Sequence, residues 1–137
     1  MTRRPDRKIT VFGNKDAGTI RNLPCADFEA VIREGLKIRN VEAEIFLVKG
    51  YEIAARIQAQ IFMAGGAADG PQTIVVGGGD GTLGYAGSVL AGTDIGLGIL
   101  PLGTLNHLAK DLGLALDIDG ALDVIAAGDE WFAGHAY

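Results

Sequence analysis

The chain has 137 residues, 48% apolar and 21% charged, with a net charge of −5 at neutral pH. That length fits one domain with its own core, and the single cysteine, Cys25, excludes an internal disulfide. The charge is uneven: residues 1–50 sum to +3 and residues 51–137 to −8, which excludes a broad nucleic-acid surface on the larger part.

In chain order, "KITVFG" (8–13) reads as a buried strand stopped by "GNKDAG". A helix follows, with Asn22 as N-cap, Pro24 in the first turn, and Phe28, Val31, Ile32 and Leu36 along its apolar face. "AEIFLV" (43–48) is a second strand, and Ile53, Ile57 and Ile61 line a second helix that ends at "AGGAADGP". "TIVV" (73–76) is a third strand, followed by a glycine loop and a helix with Leu83, Ala86 and Leu90 aligned. "IGLGIL" (95–100) is a fourth strand. "PLGTLN" opens a short helix carrying Leu108, Ala109 and Leu112, and a last helix over 118–127 buries Leu122 and Ile125, capped by Asp117 or Asp119.

Strands apolar on both sides, alternating with amphipathic helices, specify an α/β fold: three layers, α/β/α, around a mainly parallel central sheet. In such a sheet ligands bind beyond the carboxyl ends of the strands. The loops "FGNKDAG", "VGGGDGT" and "LPLGT" leave those ends and are expected to be neighbours in space. The longest nearly apolar run, "IGLGILPLG", is about half a membrane span, and no signal peptide is visible, so the chain reads as cytoplasmic. Arg3, Arg4, Arg7 and Lys8 suit transient peripheral contact with an anionic membrane surface; a solvated terminus is the competing reading.

The glycine loop carries the chemistry. Gly77, Gly78 and Gly79 have no Cβ, so backbone N–H groups can face an oxyanion and φ > 0 is accessible. The loop runs into a helix N-terminus, which favours negative charge, and Thr82 adds a hydroxyl donor. Asp80 repels a phosphate but suits a metal ion, directly or through water; the competing reading is that it caps the helix. Gly79, Gly81 and Gly84 also spell G-x-G-x-x-G, the dinucleotide fingerprint, but the following strand ends in "ILPLGT" without the acid that fingerprint requires.

"GGDGT" (Gly78 to Thr82) followed by "PLGTLN" (Pro101 to Asn106) resembles the catalytic domain of diacylglycerol kinases and related lipid kinases, which include sphingosine kinases and bacterial lipid kinases. GGDGT alone is shared with NAD kinases and, loosely, phosphofructokinases. The resemblance runs from Lys8 to about Gly128. It implies the nucleotide-binding half of a two-domain kinase that moves the γ-phosphoryl group of ATP, with magnesium, to a lipid hydroxyl such as that of diacylglycerol. By the same resemblance, Gly78, Gly79, Asp80, Gly81 and Thr82 line the phosphate region. Gly103, Thr104 and Asn106 contact the nucleotide or shape its loop, and Asp80 is the metal-linked catalytic acid.

The family's first motif, N-P-x-S-G, matches only as "NKDAG": Asn14 and Gly18 agree, so the resemblance carries Asn14 over as a nucleotide-binding residue, while Lys15 and Ala17 stand where relatives have proline and serine. The Asn–Glu pair that often follows GGDGT is replaced by Gly84 and Tyr85, and a threonine near the end of the second strand by Val48 and Lys49. Lys49 reads first as solvated and second as a phosphate contact. His107 stands where relatives often have aspartate and reads as a cap or a site neighbour, Trp131 and Phe132 as packing groups, and His135 as exposed. Relatives continue into a second, β-rich domain with an acidic base, which is expected to be absent from residues 1–137 and to leave them inactive alone. The alternatives are a relative of NAD kinase and a non-catalytic nucleotide-binding module.

Overall fold

A computed structural model of the chain describes residues 7–18, 25–64, 73–91, 95–102 and 118–127. Among these residues eight elements alternate: β1 (Arg7–Asn14), α1 (Cys25–Ile38), β2 (Val41–Val48), α2 (Gly50–Ala64), β3 (Thr73–Gly78), α3 (Asp80–Leu90), β4 (Gly96–Pro101) and α4 (Ile118–Ala127). The four strands form one parallel sheet in the order β2-β1-β3-β4.

The alternation of side chains along the strands divides the core in two. On one face Ile9, Val11 and Val75 meet Phe28, Ile32 and Leu36 of α1 and Leu122 and Ile125 of α4. On the other, Phe12, Ile74, Val76 and Ile99 meet Ile53 and Ile57 of α2 and Leu83, Ala86 and Leu90 of α3. Phe12 stacks on Phe46 with ring centroids 5.6 Å apart. These faces are the three layers that the apolar spacing requires. The stop after α1 is chemical: Asn40 adopts a left-handed conformation (φ 64°), which asparagine tolerates better than most residues, and β2 begins at the next residue.

Topology positions the site. From β1 the chain moves outward to β2 over the α1 face, then returns past β1 to β3 over the α2 face. The direction reverses between β1 and β3, so the carboxyl ends of these two strands flank a topological switch point.

Several expectations shift. Val31 is 56% exposed, because the buried stripe of α1 is centred on Phe28, Ile32 and Leu36 and leaves Val31 at its margin. Asp119 is the second residue of α4, not its cap. β3 continues through Gly77 and Gly78, where pairing with Leu100 and Pro101 overrides the poor strand propensity of glycine. Asn22, Pro24, the helix expected after "PLGTLN", Asp117 and the residues from 128 onward lie outside the described residues.

Candidate functional site

Three strand ends meet at the switch point. Asn14 closes β1. Its side-chain Oδ1 accepts the backbone N–H of Asp16 at 3.0 Å, an Asx turn that fixes which end of the amide faces inward. Asn14 Nδ2 then donates to Thr82 Oγ1, in the first turn of α3, over a long 3.5 Å. Gly50, the first residue of α2, closes the group: a β-carbon there would lie 2.7 Å from Asn14 Nδ2 and 3.2 Å from Thr82 Oγ1. β1 and β2 stay aligned to this edge, since Lys15 N–H donates to Val48 O at 2.9 Å.

The glycine segment is placed by close approach rather than by left-handed backbone. Gly78 is a strand residue whose β-carbon would meet Thr82 Cβ at 2.9 Å, and one on Gly77 would meet Leu102 Cδ1 at 2.8 Å. Gly79 is extended (φ −89°, ψ −173°) and occupies the N-cap position of α3, with no side-chain cap hydrogen bond. Asp80 is therefore the first helical residue and not the cap, in the turn where the helix dipole favours a carboxylate. Gly81 differs from Gly77 and Gly78, because among the described residues nothing lies within 4 Å of where its β-carbon would be. Gly84 is equally open on the exposed side of α3, whereas the third glycine of a dinucleotide fingerprint serves close helix–strand packing. The G-x-G-x-x-G reading fails on that geometry.

The start of the second motif is attached to the first. Leu102 N–H donates to Gly78 O at 3.0 Å, and Leu102 is fully buried. Gly103, Thr104, Asn106 and His107 lie outside the described residues. At the end of β2, Lys49 N–H donates to Glu52 Oε1 at 3.1 Å, a reach back from the third residue of α2 that covers an orphan amide. The Lys49 side chain is exposed.

Among the described residues no three of His, Cys, Asp or Glu are grouped as a metal cage. Magnesium needs none, because it is commonly held by one or two carboxylates with substrate phosphates and water. Asp80, half-buried at a helix start beside the switch point, fits that role. The motifs named Asn14, Gly78, Gly79, Asp80, Gly81 and Thr82 as candidates; Gly50, which the structure brings against Asn14 and Thr82, was not among them, because a lone glycine in "VKGYE" gives no sign of what crosses it. Its position at the start of the second helix, directly after a strand, was the available signal.

The fold and this strand-end cluster define a parallel α/β domain with its candidate site at the switch point. The chain belongs to the diacylglycerol kinase catalytic domain family, whose family model matches residues 8–131. It is 42% identical over 71 residues to a diacylglycerol kinase of Mycobacterium tuberculosis (strain ATCC 25618 / H37Rv), covering 51% of this chain and 23% of that protein. It is 45% identical over 64 residues to lipid kinase YegS of Escherichia coli (strain K12), covering 44% and 21%. The crystal structure of a diacylglycerol kinase from Bacillus anthracis str. Sterne superposes with a TM-score of 0.67 at 27% identity, covering 89% of this chain and 40% of that one. The matches thus span less than half the length of these relatives. No helix among the described residues is long and apolar enough to cross a membrane.

Proposed function

We propose that residues 1–137 are the nucleotide-binding part of a lipid kinase that transfers the γ-phosphoryl group of ATP to the hydroxyl of a lipid such as diacylglycerol. The observation that supports this most is the convergence of Asn14, Gly50 and Thr82 at the switch point, with Asp80 opening the adjacent helix. In the reaction the acceptor oxygen bonds to the γ-phosphorus, the bond to the β–γ bridging oxygen breaks, ADP leaves and the hydroxyl proton is lost. Such transfer depends on positioning and charge neutralisation more than on covalent chemistry. Here the first turn of α3 offers amides and the Thr82 hydroxyl to phosphate oxygens, and Asp80 would hold magnesium. Bound magnesium neutralises charge on the polyphosphate.

The carboxylate base that takes the proton of the acceptor hydroxyl is assigned, by family resemblance, to a second domain. The 137 residues therefore bind ATP weakly and do not phosphorylate lipid efficiently alone. Contact with the membrane that holds the acceptor is peripheral, from the cytoplasmic side.

Calorimetric titration with ATP and with NAD, each with and without magnesium, tests the reading. ATP with magnesium is expected to bind with an affinity nearer millimolar than micromolar, about −4 kcal/mol, since half a cleft encloses only part of its ligand. Preference for NAD supports the NAD-kinase alternative. ATP binding combined with no transfer by a polypeptide that includes a second domain supports a non-catalytic module.

A further inference from the structure

We infer that Asn14 and Gly50 are positioning residues that hold the Thr82 hydroxyl as a hydrogen-bond donor toward the polyphosphate of the bound nucleotide, an inference that rests on the nucleotide-binding reading above. The polarity follows from the amide. Asn14 Oδ1 is committed to the Asp16 N–H, so the NH2 end faces Thr82. An amide NH2 donates and does not accept, so the Thr82 oxygen is the acceptor in that contact and its own proton must go elsewhere. Among the described residues no other side-chain hydrogen bond of Thr82 is formed. A phosphate oxygen ionised at neutral pH is an acceptor, the partner that such a hydroxyl lacks, and hydrogen bonds to charged groups are the stronger class.

Gly50 makes the arrangement possible. The start of α2 passes so close to the pair that a methyl group in its place would lie 2.7 Å from Asn14 Nδ2. That forces the amide, and with it the hydroxyl, out of position. Without that contact the hydroxyl would have to be turned toward a phosphate by the ligand alone, at the cost of fixing a free rotor. The 137-residue chain also lacks the serine of the family's first motif, with Ala17 in its place, so one oriented hydroxyl carries more of the task.

The test is a double-mutant cycle read by NMR titration with ATP and magnesium. Thr82→Val and Asn14→Ala should each weaken binding by about tenfold, the scale for one charge-assisted hydrogen bond. The double variant should bind no more weakly than Thr82→Val alone, because Asn14 acts through Thr82. Gly50→Ala should weaken binding to a similar extent, and Thr82→Ser should restore most of what Thr82→Val loses. In the free protein, Thr82→Val should move the Asn14 side-chain NH2 resonances. Losses that multiply in the double variant make Asn14 a direct ligand and overturn the positioning role. Unmoved Asn14 resonances overturn the pair itself. Wild type that binds no ATP defeats the nucleotide reading, whereas wild-type binding with full affinity in Asn14→Ala defeats this inference alone.

Discussion

Gly78 and Thr82 approach so closely that a β-carbon on Gly78 would sit 2.9 Å from Thr82 Cβ, while the same atom on Gly81 would have no described residue within 4 Å. Two glycines of one motif thus have different reasons to be glycine. Gly78 is fixed by the protein's own next turn. Gly81 faces open space among the described residues, where only helix propensity distinguishes glycine from alanine.

That contrast predicts opposite outcomes. Gly78→Ala should destabilise by about 1–3 kcal/mol, the range for overpacking, and displace Thr82. Gly81→Ala should leave stability level or raise it by up to about 1 kcal/mol, yet weaken ATP binding if the phosphates fill the space beside it. Gly84→Ala, open but one turn further along α3, serves as the control: the same gain in stability with ATP binding unchanged. Thermal melts paired with ATP titrations check all three. A Gly81→Ala variant with intact ATP affinity would place the phosphates elsewhere.

Asp80 separates metal binding from helix support. Gly79 holds the N-cap position, and Asp80→Asn takes a negative charge from the first turn of α3, where the helix dipole makes it worth about 0.3–1 kcal/mol. Magnesium-dependent ATP binding should fall in this variant. Binding without metal should stay level or tighten as repulsion of the phosphates is relieved. Titrations of wild type and variant, each with and without magnesium, check this. Equal affinities in all four would remove Asp80 from the metal site.

The α1 face supplies a stability contrast away from the site. Ile32 is completely buried between α1 and the sheet, and Ile32→Ala should cost about 2–5 kcal/mol. Val31→Ala, at a neighbouring but exposed position, should change stability by no more than about 0.5 kcal/mol. Urea denaturation of both variants measures the difference.

Arg39 ties the end of α1 to α4, donating from Nε to Asp123 Oδ1 at 2.8 Å and from Nη1 to Gly35 O at 2.6 Å. The carboxylate is largely exposed, so Asp123→Asn should cost less than about 1 kcal/mol, and less still in high salt. Arg39→Ala should cost more, since it also removes the bond to the Gly35 carbonyl. Melts at low and high salt distinguish the two contributions.

Much of the fold was legible because period and composition agreed. Ile53 and Ile57, and Leu83, Ala86 and Leu90, recur at helical spacing and are buried; the four β-branched or leucine-rich runs became the four parallel strands. Val31 escaped because apolar spacing gives a stripe's members but not its width. Gly77 and Gly78 looked like loop because glycine has low strand propensity, and only pairing with β4 reveals them as strand. At the site, GGDGT announced itself through local chemistry, and Asn14 was recoverable from a partial motif. Gly50 was not, since its importance arises where three distant segments cross. The reason for the glycines was also partly misread: close approach, rather than a left-handed backbone, accounts for Gly77 and Gly78.

The central claim is that one nucleotide site spans the carboxyl ends of β1, β2 and β3 and continues into the segment after β4. Backbone amide shifts during titration with ATP and magnesium test it most directly. The account predicts concerted, saturable shifts at Asn14, Gly50, Gly78 to Thr82 and Gly103 to Asn106, all fitting one dissociation constant. Shifts confined to the outer faces of α1 and α4, or an unresponsive Gly78–Thr82 segment at ATP concentrations that saturate any other site, would contradict it.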